Sequence, residues 1–345
     1  MRRLLNALLL LLPMATGQAA DTVRADDARV TRMGRTVAQD GTLRFGYPGV
    51  TLGVAFSGSR LAVEMAGGAG SLVDVIVDGG APVTVRPGPQ PRSIELYQGS
   101  AGPHRVELVQ RTETWLGVTA VASFTTDGSF KAPSPLPARK MLVLGDSVTC
   151  GANMERVGGE KNNPYWWNGR VSYGMLVAKA LDAQVQLVCH GGRGLLRSWD
   201  GKSDEAQLPA LYAMAIPEAV QPPAWRQAGY DPDLVLVAIG TNDFTVGIPE
   251  RAAYVAAYAD FVRTLLREQA HARIVLTEGA ILNGEKKDVL RAYLAEVAAR
   301  VASPRVQVIP SAYHPGDAAD AHPTTPQHAA MAAELAPQLR TLMGW

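Results

Sequence analysis

The chain has 345 residues, 47% of them apolar, with 33 lysines and arginines against 32 aspartates and glutamates. That is ample material for a buried core and more length than one compact domain usually takes, so disorder is excluded and two domains are expected. The near-neutral balance argues against nucleic acid or an anionic membrane as partner.

Residues 1–20 begin with Arg2 and Arg3, continue through a leucine-rich run to Leu12 and end in small residues at Gly17, Ala19 and Ala20. This is the pattern of a secretory signal peptide, which predicts a secreted or periplasmic protein. The apolar run is shorter than the ~20 residues of a spanning helix, so a membrane anchor is the weaker reading. Losing two arginines leaves 31 basic against 32 acidic side chains, a net charge of −1 in the mature chain, for which no membrane partner is expected. Export permits disulfides, and Cys150 and Cys189 are the two cysteines. Both follow strand ends and could meet, yet a pair of buried free thiols is the expectation. Neither their count nor their spacing suggests a metal, and no cofactor is expected.

From about Val23 to Phe130, short runs alternate apolar and polar residues: Thr51 to Phe56, Arg60 to Met65, Leu72 to Val77, His104 to Leu108 and Leu116 to Phe124. Glycine or proline turns separate most of them, which predicts an all-β antiparallel sandwich over residues 21–130 with no helix. Pro133, Pro135 and Pro137 then stiffen a connection over 131–139, because proline fixes φ and cannot sustain a ladder.

The period changes in residues 140–345. Strand-like runs at Met141 to Leu144, Val185 to Cys189, Leu234 to Ile239, Ile274 to Thr277 and Val306 to Ile309 alternate with helical segments. This predicts an α/β unit whose parallel sheet is covered on both faces. Tyr254, Tyr258, Phe261 and Leu265 give one helix its inner stripe, with Pro249 in its first turn. The last helix is expected to start at Thr325 as N-cap, with Pro326 next and Met331, Leu335 and Leu339 facing inward.

Four blocks carry chemistry. The first is Gly145-Asp146-Ser147, where an apolar strand ends in a sharp turn that would leave Ser147 at the sheet's rim. Alone it reads as an ordinary turn or cap. A serine is a weak nucleophile until a base takes its proton, and an acyl reaction needs donors for its oxyanion. Asn242, in Gly240-Thr241-Asn242-Asp243, can aim its amide at such an oxyanion, although the same residues favour an Asx turn. His190-Gly191-Gly192-Arg193-Gly194 lets a backbone N–H approach a substrate closely. In Asp320-Ala321-His322-Pro323, just before the last helix, His322 is placed to act as general base with a neighbouring carboxylate to fix its tautomer. His314-Pro315 is a rival pair, but it lacks a preceding acid; His104, His271 and His328 are expected to be structural or solvated. Tyr165, Trp166, Trp167, Trp199 and Tyr212 offer a platform for sugar rings, of which Tyr212, Trp167 and Trp199 are the candidates for substrate contact, although aromatics are more often core. Arg193 and Arg197 are equally readable as structural.

In chain order, with serine, glycine, asparagine and histidine following one another, the four blocks resemble the SGNH hydrolase superfamily, over roughly residues 140–345, and more closely carbohydrate esterase family 2 of the acetylxylan esterase type. The stretches that carry the likeness are GDSVTCG, SYGMLVAKAL from Ser172, GGRGLLR from Gly191, LPALY from Leu208, GTNDF from Gly240 and DAHPT from Asp320, with GPHRVELVQRTE from Gly102 in the preceding unit. The resemblance implies a flavodoxin-like α/β/α sandwich behind a jelly roll. It implies Ser147 as nucleophile, His322 as base, and Ser147, Gly192 and Asn242 as oxyanion hole, with Gly191 and Gly194 as rivals to Gly192. The wider superfamily carries its acid three residues before the histidine, here Ala319; Asp320 matches the closer family's Asp-x-His-Pro. Whether Asp320 completes a triad or holds a substrate hydroxyl stays open. The implied activity is removal of O-acetyl groups from a plant polysaccharide or oligosaccharide such as xylan or glucomannan. The alternatives are a lipase or thioesterase acting on longer acyl groups, or a carbohydrate-binding protein with a vestigial esterase unit.

Overall fold

A computed structural model describes residues 20–158, 163–217, 221–225 and 229–345, so the leader read over residues 1–20 lies outside the described residues but for Ala20. The first ten strands are β1 (Asp21–Arg24), β2 (Thr31–Met33), β3 (Val37–Gln39), β4 (Thr42–Phe45), β5 (Thr51–Gly67), β6 (Val73–Val77), β7 (Val83–Val85), β8 (Arg92–Gln110), β9 (Thr119–Thr126) and β10 (Ser129–Phe130). They form one antiparallel, jelly-roll-like half-barrel in the order β3-β4-β9-β5-β8-β6-β7, with β1 on β9 and with β2 and β10 on β5. Two runs read as separate strands, Thr51 to Phe56 and Arg60 to Met65, are one 17-residue strand, β5. Its ladder to β8 shifts register between Gly58 and Arg60 and again between Leu61 and Ala62. Such bulges bend and twist a strand without ending it. Phe45, Leu52, Phe56, Leu61, Val63 and Phe124 fill the interior.

The proline-rich stretch separates β10 from β11 (Arg139–Gly145), the first strand of a second sheet completed by β12 (Ala183–Cys189), β13 (Leu234–Ala238), β14 (Arg273–Thr277) and β15 (Val306–Val308). All its pairings are parallel, in the order β12-β11-β13-β14-β15. This is the flavodoxin-like order, whose direction of winding reverses between β11 and β13. The main helices are α1 (Tyr173–Ala180), α2 (Leu208–Tyr212), α3 (Arg251–Glu268), α4 (Gly284–Val301) and α5 (Thr325–Met343). Side-chain alternation along the strands sends Met141, Val143, Leu234 and Leu236 to the layer of α1 and α5. Leu142, Leu144, Val235 and Val237 go to the layer of α3 and α4, whose core runs on without a break into that of the half-barrel.

Two helix starts differ from expectation. Pro249 precedes α3, whose N-cap is Glu250, with its carboxylate accepting the N–H groups of Ala252 and Ala253. Glu250 offers two acceptors to orphan amides, which a proline cannot. The N-cap of α5 is Thr324, one residue earlier than read, because Gln327 closes a capping box back onto it.

The two sheets are locked together by buried polar contacts. Arg35, 1% exposed, donates from Nη1 to the carbonyls of Tyr212 and Met214 at 2.7 Å each. Burial lowers its pKa to about 10, so it stays charged at neutral pH. At the exit of β8 the segment Gln110 to Thr114 is wholly buried. Arg111 there pairs with Asp74 and Glu155, and its carbonyl accepts the N–H of Gly169 at 2.9 Å.

Candidate active site

The ends of β11 and β13 meet at the point where the sheet reverses its winding, and open α/β sheets bind ligands there. Ser147 follows β11 in a tight turn. Gly145 is required because a Cβ would overlap the side chain of Thr149. Asp146 is buried, accepts the Val148 N–H on Oδ1 at 3.0 Å, and has its carboxyl pushed up to about 6 by that burial.

His322 stands across the turn, on the loop before α5. Its Nε2 lies 2.8 Å from Ser147 Oγ, and its Nδ1 lies 2.5 Å from Asp320 Oδ1. A carboxylate can only accept, so Nδ1 carries the ring proton and Nε2 is left to accept the serine O–H. Burial acts to raise the Asp320 pKa, but hydrogen bonds from the His322 ring and backbone, its charge, and Asn153 hold the carboxyl well below the usual range. Asn153 Nδ2 donates to Asp320 Oδ2 at 2.9 Å. Arg156 ties the loop down by donating to the carbonyls of His322 and Asp320 at 2.9 and 3.1 Å. The carboxylate two residues before the histidine is therefore within reach of the imidazole; the alternative acid position, Ala319, has only a methyl group to offer. The rival His314 instead faces Glu334, with Nε2 3.3 Å from Oε2.

The other two blocks complete the rim. Gly192 has φ +76, in the left-handed region, and a Cβ there would come within 2.7 Å of the Trp199 ring. Both reasons favour glycine. Its carbonyl accepts the Trp199 N–H at 2.9 Å, while among the described residues the N–H groups of Gly192 and Ser147 donate to no protein acceptor. Asn242 Nδ2 uses one hydrogen on the Arg193 carbonyl at 2.8 Å, which aims the amide and leaves the second free. Asp243 accepts the N–H groups of Leu195, Leu196 and Arg197 at 2.7, 2.7 and 3.2 Å and so fixes the loop that carries Gly192. Gly194 sits beside that carboxylate and outside the cleft lining. Arg193 and Arg197 serve structure: Arg193 pairs with Glu205, and Arg197 donates to the carbonyls of Asp243 and Gly247.

Ser147, His322, Gly192 and Asn242 open onto a cleft of about 620 Å³. Trp167 and Trp199 line it as expected. Tyr212 does not. It is 4% exposed in the core against Phe261, and its hydroxyl accepts from Gln269 Nε2 at 2.7 Å. The reading of Tyr212 as a substrate contact is thus corrected: it lies on α2, whose inner face packs under the sheet. Tyr165 stacks with Arg86 outside the cleft lining.

Cys150 and Cys189 form a disulfide rather than the pair of free thiols expected. The parallel register sets Gly145 opposite Cys189, and the turn after Gly145 brings Cys150 back over that strand end. Export-dependent bonding was open from sequence; the register decided it.

Glu113, the last residue of the GPHRVELVQRTE stretch, and Trp115 also line the cleft, with nothing in their local sequence to mark them as site groups. Both come from the loop after β8, so the half-barrel supplies part of the cleft wall. Glu113 accepts from Trp167 Nε1, the Gly191 N–H and Trp115 Nε1 at 2.9, 2.6 and 3.1 Å. Among the described residues no helix is long and apolar enough to cross a membrane.

A flavodoxin-like sheet with serine, histidine and carboxylate in line at its reversal point defines a carboxylic ester hydrolase of the SGNH type. Residues 32–135 match the carbohydrate esterase 2 N-terminal family and residues 143–339 the GDSL-like lipase/acylhydrolase family. The chain belongs to carbohydrate esterase family 2. It is similar to an acetylxylan esterase / glucomannan deacetylase of Cellvibrio japonicus, 52% identical over 94% of this chain and 92% of that protein. A solved family two carbohydrate esterase from Cellvibrio japonicus superposes with a TM-score of 0.93 at 51% identity, covering 95% of this chain and 99% of the other. One from Clostridium thermocellum, solved in complex with cellohexaose, gives 0.84 at 25% identity over 92% and 99%.

Proposed function

We propose that this esterase is exported and removes O-acetyl groups from plant polysaccharides or oligosaccharides, xylan and glucomannan being the substrates. The half-barrel over residues 21–130 and the hydrolase unit over residues 140–345 then act as two domains around one site. His322 takes the Ser147 proton as Oγ attacks the acetyl carbonyl. The tetrahedral oxyanion is received by the N–H groups of Ser147 and Gly192 and by the free amide hydrogen of Asn242. Asp320 stabilises the imidazolium that forms. His322 then protonates the departing sugar oxygen, which leaves as a hydroxyl, and water repeats the sequence on the acetyl-enzyme, releasing acetate. Trp167 and Trp199 flank the sugar that carries the ester.

The observation that carries this reading is the unbroken chain from Ser147 through His322 to Asp320, at 2.8 and 2.5 Å, at the floor of a cleft walled by indoles. Acetate release from acetylated xylan, acetylated glucomannan and a long-chain acyl ester, measured side by side for the parent and Ser147→Ala, tests it. Loss of all acetyl release in the variant, with an unchanged melting temperature, is expected. Activity within roughly tenfold of the parent would overturn the assignment, since removing a triad nucleophile costs orders of magnitude more. A preference for the long acyl chain would transfer the enzyme to lipid substrates.

A further inference from the structure

We infer that Glu113, a residue of the half-barrel, is a positioning residue for the oxyanion hole. It holds the Gly191–Gly192 turn in register with Ser147, which makes the N-terminal sheet part of the catalytic apparatus. The inference rests on the proposed roles of Ser147 and Gly192.

Glu113 is 1% exposed, and among the described residues it forms no ion pair with a lysine or arginine. A buried carboxylate without a cation is costly unless hydrogen bonds satisfy it. Here every partner is an N–H donor, and the three come from three segments: Trp167 after the nucleophile turn, Gly191 in the oxyanion loop and Trp115 in its own loop. Only a carboxylate presents two acceptor atoms to such a set. Glutamine would turn its NH₂ toward another donor.

The anchor is rigid on its own side. Gln110 Nε2 donates to the Thr112 carbonyl at 3.1 Å, the Glu113 carbonyl accepts the Leu116 N–H at 3.0 Å, and Arg111 is clamped to Asp74 and Glu155. On the other side, Gly192 is held by its carbonyl through Trp199, whereas its N–H belongs to the peptide that follows Gly191. Gly191 has no side chain to restrict it, so the bond from its N–H to Glu113 Oε2, at 2.6 Å, fixes the peptide that leads into the turn, while the peptide after it, which carries the Gly192 N–H, is tied locally by its carbonyl, 2.9 Å from His190 Nδ1. Donors to an oxyanion act only when they are aimed before the reaction.

The test pairs Glu113→Gln with Gly191→Ala. A Cβ at 191 would stand 3.2 Å from both carboxylate oxygens and push the turn off its anchor without altering Glu113. Both variants are expected to lower kcat on a small aryl acetate roughly tenfold to a hundredfold, with KM little changed. The rate of Ser147 modification by an aryl fluorophosphonate, whose phosphoryl oxygen enters the same hole, should fall in parallel. In the double variant the two losses should not multiply, because both cut one connection. Parent-like kcat in either variant, or losses that multiply, would overturn the inference, as would a defect confined to KM on an acetylated oligosaccharide. If Glu113→Gln fails to fold, Gly191→Ala alone carries the same test. Ser147→Ala, run alongside, separates the two levels: residual activity there defeats the nucleophile assignment itself, whereas an inert Ser147→Ala beside unaffected Gly191→Ala defeats only the role of Glu113.

Discussion

Replacing Asp320 by asparagine removes one negative charge and, in this loop, little else. Both His322 donors converge on Oδ1, the ring Nδ1 at 2.5 Å and the backbone N–H at 2.7 Å, so an asparagine oxygen in that place keeps them. The new amide nitrogen then meets Asn153 Nδ2, but the Asn153 Oδ1 is buried without a partner, and turning that amide over restores a donor facing an acceptor. The imidazole tautomer survives, unlike in triads where the same substitution inverts it at a cost of about 10⁴-fold. What is lost is the attraction between carboxylate and imidazolium: about 4 kcal/mol for unit charges 4 Å apart at an effective dielectric of 20, or roughly a thousandfold in rate. Asp320 and His322 are each 26% exposed, and solvent screening brings the expected loss to between roughly a hundredfold and a thousandfold. The assay is kcat and KM for a small aryl acetate and for an acetylated xylo-oligosaccharide. Equal falls in kcat on both are expected, with KM unmoved. Near-parent turnover of the aryl acetate beside failing turnover of the sugar would refute the triad and seat Asp320 against a substrate hydroxyl.

Asn242→Ala should lower kcat by ~100-fold or more with little change in KM, since its free amide hydrogen meets charge that exists only in the transition state; a KM effect alone in a Michaelis series would reassign it to substrate binding. Opening the Cys150–Cys189 bond, across a sequence separation of 39 residues, should cost about 2–4 kcal/mol, read as a lower denaturant midpoint for the double serine variant; an unchanged midpoint would mean that strand register alone holds the turn. His328 is buried, with Nδ1 accepting the Tyr173 N–H at 3.1 Å, and burial pushes its pKa down to about 3. Between that value and the ordinary 6.5 the unfolded chain binds a proton that the folded one refuses, so stability falls as pH drops through this window. His328→Gln should flatten that slope in urea titrations at a series of pH values, and an identical slope would contradict the assignment.

The sequence by itself determined the order of the two units, the parallel sheet, and the positions of Ser147, Asn242 and His322. Strand periodicity and glycine-bounded turns are local properties, and each of these residues follows a strand or precedes a helix that the chain announces within a few residues. It also pointed to the loop of Gly192, with Gly191 and Gly194 as rivals in it; φ +76 and the proximity of Trp199 set Gly192 apart. The pairing of Asp320 with His322 needed the loop's path, since two-residue spacing permits the carboxylate to turn toward the ring or away from it. Tyr212 and Trp167 look alike in sequence, both aromatic and near a motif, and only packing sent one beneath the sheet and the other into the cleft. The two cysteines were ambiguous until parallel register brought the end of β12 beside the turn after β11. Glu113 was the least legible, because two of its three partners lie 54 and 78 residues away, in loops of the other unit. A charge in a loop carries no periodicity, and its meaning arises only where loops from the two units meet.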